Sequence, residues 1–133
     1  MPVVAQLNLH LENQIGTLAR LSRDLANGGV NLLALSAMEG AHAKDAVVRL
    51  LVPNRELAEH VLSKAHYGFT VEEVLFLELK NRPGALARAV EKLAAAHIDV
   101  TYAYATAHTQ AQKTAVVIAV AKADLERAAK LLG

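Results

Sequence analysis

Leu7, Leu9 and Leu11 alternate with Gln6, Asn8 and His10. An apolar–polar period of two places successive side chains on opposite faces and predicts a strand with one buried face. At Gly16 the period lengthens. Leu18, Leu21 and Leu25 recur at i, i+3 and i+7, the spacing of one helical face. Gly28-Gly29 ends that helix. Aliphatic runs at 30–38 and 46–52, separated by a polar stretch at 40–44, predict two strands joined by a hairpin turn. A second helix is expected over roughly 54–65. The extended run from 69 to 79 contains no turn signal.

The pattern then begins again. Glu12-Asn-Gln-Ile-Gly-Thr-Leu-Ala-Arg20 lies over Lys80-Asn-Arg-Pro-Gly-Ala-Leu-Ala-Arg88, with Asn13 falling on Asn81 at an offset of 68. The same offset carries Leu7, Leu9 and Leu11 onto Leu75, Leu77 and Leu79, and Val30-Asn31-Leu32 onto Ile98-Asp99-Val100. One offset held across so many elements marks a duplication. The second copy predicts a helix carrying Leu86, Val90 and Leu93, strands at 98–107 and 114–121, a turn at 108–113 and a last helix over about 123–132. The fold class is therefore α+β: two ferredoxin-like βαββαβ repeats, antiparallel sheets with the helices on one face. The repeats are expected at 1–70 and 71–133. The second lacks its own final strand, and the run 69–79 is expected to serve both copies. The strand at 114–121 is apolar on both faces, Val116, Ile118 and Val120 on one and Ala115, Val117 and Ala119 on the other. That predicts burial by self-association.

Composition narrows the function. Lys plus Arg is 14 and Asp plus Glu is 13 in 133 residues, and neither half holds a basic excess, so a nucleic-acid partner is not expected. Cysteine is absent, which removes thiolate chemistry, zinc–thiolate sites and disulfides. The N-terminus has no basic, apolar leader, and no run is long enough to span a membrane, so a soluble, cytoplasmic protein is expected. The six histidines show no metal-ligand spacing, and His97 at a helix end suits the helix dipole. No nucleophile elbow, phosphate loop or dinucleotide fingerprint is present. Neither a catalytic site, a metal nor a cofactor is expected.

The candidate chemistry lies at the two strand-to-helix turns. The first helical N–H groups have no intrahelical partner and attract a carboxylate. Gly16 and Gly84 permit close approach to the backbone, Pro83 presets the turn, and Asn13 and Asn81 each offer an amide donor and acceptor. The same residues also serve a purely structural turn.

Asn81-Arg-Pro-Gly-Ala-Leu86, the leucine-alternating strand before it and the Ile98-Asp-Val strand after it resemble an ACT domain, a small module that binds amino acids. Leu11-Glu-Asn-Gln-Ile-Gly-Thr-Leu18 followed by Gly29-Val-Asn-Leu32 resembles it a second time, with Ile15 where proline is usual. The resemblance covers the whole chain and implies a stand-alone tandem ACT protein; the strand at 114–121, apolar on both faces, and the uncovered sheet edge predict a homodimer or larger. It implies a free amino acid held between the first loop of one domain and the second strand of its neighbour. By position the first loops are Asn13, Ile15, Gly16, Thr17 and Leu18, and Asn81, Pro83, Gly84, Ala85 and Leu86. The second strands add Asn31, Leu32, Asp99 and Val100. The implied function is a regulatory sensor acting on a separate metabolic enzyme. The alternatives are the small subunit of an acetolactate synthase and a small ferredoxin-like enzyme or metal-binding protein. The Glu-Ser-Arg-Pro segment of phenylalanine-sensing ACT domains is absent.

Overall fold

The computed structural model describes residues 2–106 and 110–133. The chain divides into two compact units, Gln6–Glu72 and a second made of Met1–Ala5 with Glu73–Gly133.

The first unit contains most of β1 (Val3–Glu12), then α1 (Thr17–Asn27), β2 (Ala34–Glu39), β3 (Asp45–Leu51), α2 (Arg55–Lys64) and the opening residues of β4 (Thr70–Lys80). β3 lies between β1 and β2 and runs antiparallel to both, with Leu9 opposite Val48 and Val48 opposite Ala37. The sheet's leucine face meets both helices: Leu7, Leu9, Val48 and Leu50 close on Leu21 and Leu25 of α1 and on Ala58 and Leu62 of α2. Each fully buried leucine contributes about 1.5–3 kcal/mol. The other face is polar at its centre. Gln6, fully buried, donates to Asn8 Oδ1 at 2.8 Å, and Asn8 donates to Glu72 Oε1 at 2.7 Å, which ties β1 to the start of β4. Asn54 caps α2 by accepting from Leu57 N at 3.1 Å.

The second unit repeats the plan with the rest of β4, then α3 (Ala85–Ala95), β5 (Val100–Thr106), β6 (Lys113–Val120), a 3-10 turn (Lys122–Asp124) and α4 (Leu125–Leu132). β6 pairs with β4 and β5, both antiparallel. Its core joins Leu75, Leu77, Val116, Ile118 and Val120 to Ala89 and Leu93 of α3 and to Ala128 and Ala129 of α4. No strand follows α4 in the described residues. The start of β1 takes that place beside β4: Pro2 O accepts from Phe76 N at 2.7 Å and Val3 packs against this core. The run expected to serve both copies is one strand whose first residues, Thr70 to Glu72, belong to the first unit and whose remainder belongs to the second.

Two expectations change. The strands predicted from 30 and 98 begin at Ala34 and Val100. Val30 N and Ile98 N instead bond back to Leu25 O and Leu93 O, each at 2.9 Å, across a left-handed residue, Gly29 (φ 77°) or His97 (φ 58°). The first apolar residue after each helix is thus spent closing the helix C-terminus. The predicted end of the second of these strands, Ala107, and the following His108 lie outside the described residues. The second change concerns β6. Its second face is not bare in a single chain: Val117 is 2% and Ala119 0% exposed. Register places Phe76 and Tyr104 opposite Val117 and Tyr102 opposite Ala119, and these three half-buried rings flank the strand.

Candidate functional site

The two strand-to-helix turns are built alike. α1 and α3 each start after a glycine in the left-handed region, Gly16 at φ 89° and Gly84 at φ 86°, a conformation that favours glycine. Thr17 Oγ1 donates to Glu12 O at 2.9 Å and closes the first turn on itself. Neither helix has a side-chain cap or an acidic residue in its first turn. The positive end of each helix dipole is therefore not neutralised by the helix itself.

Asn13 and Asn81 do the same work in both copies. Their backbone N–H groups donate to Lys44 O at 2.6 Å and Gln112 O at 2.8 Å, and their Nδ2 atoms donate to Ala43 O and Ala111 O, each at 2.9 Å. Each asparagine ties its turn to the facing hairpin. The structural role that the sequence left open is occupied, on the amide nitrogen side.

Beside the first turn lies a cleft of about 200 Å³. Asn13, Gln14, Thr17 and Leu18 form one wall, and Ala37, Met38, Ala46 and Val48 of β2 and β3 form the other. No lining side chain is charged. Of the residues expected here, Asn13, Thr17 and Leu18 line it. Ile15 is fully solvent-exposed at the tip of the turn. Gln14, Ala37, Met38, Ala46 and Val48 were not anticipated. Their signal was the alternation in β2, which steps from Leu35 to the small Ala37 on the helix-facing side and leaves room beside Leu18. In the second copy Asn81, Pro83, Gly84 and Leu86 are exposed and Ala85, the first residue of α3, is buried.

Asn31, Leu32, Asp99 and Val100 do not join these turns inside a unit. β1 and β2 both run antiparallel to β3 and so parallel to each other. The turn after β1 therefore sits by the end of β2, while Asn31 and Leu32 precede its start. Asn31 Oδ1 accepts from Leu32 N at 3.0 Å. Asp99 and Val100 hold the matching place at the start of β5. Each unit thus presents two groups of expected residues at opposite ends of its sheet.

Behind α1, Tyr67 donates its hydroxyl to Asp24 Oδ2 at 2.7 Å. Burial, that bond and the Asp24 charge push the phenol up to about 12, against the opposing pull of Arg20. Among the described residues no group of three or more His, Cys, Asp or Glu is placed to hold a metal ion. Among the described residues no helix is long and apolar enough to cross a membrane.

The architecture defines a tandem ferredoxin-like α+β protein with a glycine-opened β–α turn in each copy. The chain belongs to the ACT family: the model of an ACT domain pair matches residues 2–131. A protein from Bacteroides thetaiotaomicron shares 29% identity over 98% of this chain and 87% of its own, with a TM-score of 0.86. The aspartate kinase regulatory subunit of Thermus flavus shares 14% identity over 99% of this chain and 95% of its own, with a TM-score of 0.60. The ligand-free regulatory subunit from Thermus thermophilus shares 15% over 98% and 95%, at 0.62. At the identities of the two kinase subunits the likeness is one of fold. No curated protein matches the chain significantly.

Proposed function

We propose that the chain is a regulatory sensor of a free amino acid and acts on a separate metabolic enzyme. The observation that carries this is the cleft at the first turn, where an uncapped helix start faces a neutral, partly apolar wall. The ligand carboxylate meets the N–H groups of Leu18 and Ala19 in α1's first turn, the Thr17 N–H being held by Gln14 O. Its ammonium meets the amide oxygens of Asn13 and Gln14. With no charged side chain in the lining, the ligand side chain is neutral and small. The ACT pair and the use of the same fold by separate aspartate kinase regulatory subunits support a regulatory rather than an enzymatic role.

The working form is a homodimer, the two repeats being 1–70 and 71–133. Its support is the apolar surface along the first repeat's edge strand: Leu33, Leu35 and Met38 are 58%, 37% and 55% exposed beside the exposed Ile15 and Leu18. A second copy placed there brings its own Asn31 and Leu32, or Asp99 and Val100, toward the turn residues of the first. The second-copy turn, Asn81, Pro83, Gly84, Ala85 and Leu86, is the matching half-site.

A thermal-shift screen of the twenty amino acids tests the reading. One neutral amino acid is expected to raise the melting temperature by several degrees at a hundred times its Kd, equivalent to about 2.7 kcal/mol. Ala37→Phe fills the cleft without touching either asparagine tie and is expected to abolish the shift. No response to any amino acid at millimolar concentration removes the proposal. A full response in Ala37→Phe moves the site elsewhere.

A further inference from the structure

A second cleft, of about 310 Å³, lies in the second unit on the flank of α3 that faces the end of α4. Its floor is apolar, from Leu77, Leu79, Ala89 and Leu132. Its rim carries Arg82, Arg88 and Lys92. Glu78, the one carboxylate in the lining, and Lys80, a fourth cation there, alternate with Leu77 and Leu79 on β4, and strand alternation turns both side chains to the opposite face. Three positive charges therefore border one apolar hollow. Among the described residues none of the three takes part in an ion pair or a side-chain hydrogen bond. Arg88 also leans back over the turn: a β-carbon on Gly84 would meet its Nη1 at 3.2 Å.

The internal repeat supplies a control for what the fold itself requires. At the offset of 68, Arg82, Arg88 and Lys92 correspond to Gln14, Arg20 and Asp24, which sum to zero charge. There the same stretch of helix is engaged internally, with Asp24 accepting from Tyr67 and Arg20 acting on the same phenol. Packing the helix thus needs no cationic rim, and the second copy has gained one with nothing inside the described chain to neutralise it. Like charges held close together repel, and an apolar floor strengthens the field between them. Both effects are relieved by a multivalent anion, and guanidinium forks bind oxyanions in bidentate fashion.

We propose that this cleft binds a small oligoanion, carrying two or more negative charges on phosphoryl or carboxylate groups, at a site separate from the neutral cleft of the first unit. The hollow is large enough to take an organic body on its leucine floor while the charged groups meet the rim. Two ligand classes, one neutral and one anionic, would then act on one chain.

Isothermal titration of the full-length protein with inorganic pyrophosphate and with citrate tests this, the two probes separating phosphoryl from carboxylate recognition. Binding of either is expected to weaken steeply with added salt. Arg82→Gln with Lys92→Asp installs the residues that the first copy already tolerates, so the fold is retained. That variant is expected to raise Kd about tenfold or more. Ala37→Phe, at the other cleft, is expected to leave the anion affinity unchanged. Amide NMR shifts on titration are expected to concentrate in 77–92. Failure of both probes to bind at millimolar concentration overturns the proposal. Equal binding by the charge-reduced variant, or shifts confined to 13–18 and 37–48, overturns it as well.

Discussion

Tyr67 shows how one side chain can set a pH limit. Its phenol titrates near 10 in the unfolded chain and at about 12 in the fold. Below pH 10 both states hold the proton, and the contribution is fully present. Between 10 and 12 the unfolded state alone loses it, so stability falls as pH rises. Tyr67→Phe is expected to cost about 1 kcal/mol at pH 7 through the lost bond to Asp24. Its melting temperature is expected to fall less steeply than the wild type's between pH 10 and 12, as differential scanning fluorimetry across that range would read. At the same scale, the sequence marked the turns but not the partners of their residues. Asn13 and Asn81 were legible as turn asparagines; the carbonyls they hold, Ala43 and Ala111, stand 30 positions away. Local pattern carries no record of a contact that only tertiary closure creates.

The helices and strands were the most legible level, because each unit buries one face and the apolar period reports it. Leu7 and Leu9 of β1, Leu21 and Leu25 of α1 and Leu93 of α3 all reach the core as the periodicity demands. Boundaries failed where an apolar residue does something other than extend a strand, as Val30 and Ile98 do in closing helix ends. Those closures differ at the left-handed position. The first copy places Gly29 in the left-handed position, and the second places His97 there. A left-handed L-residue costs roughly 1–2 kcal/mol, offset in part by the greater unfolded-state entropy of glycine. His97→Gly is therefore expected to stabilise the protein by on the order of 0.5–1 kcal/mol, read as a higher denaturation midpoint in urea with an unchanged m-value. A lower midpoint would show that the imidazole makes an interaction worth more than the backbone strain.

For the whole molecule, the repeat was visible in the sequence, but its ends were not. Nothing local marks residues 2–5 as part of the second unit; β1 reads as one strand, and only the three-dimensional closure divides it. Deleting residues 1–5 is expected to destabilise the protein by on the order of 2 kcal/mol through loss of the Val3 packing and the Pro2–Phe76 bond. Hydrogen exchange should rise mainly in β4 and α4, with β2 and β3 little changed. Uniform loosening of both units would contradict the division. The seating of residues 2–5 also has a kinetic side. The segment must travel back to a partner 74 positions along the chain, Pro2 to Phe76, and an identical segment on another molecule fits the same berth. Which one arrives is a contest between tethered and free copies, and the tether sets the effective concentration that a free copy must exceed. Dilute refolding thus keeps the exchange within one molecule, whereas concentrated refolding favours chains that trade their first strands.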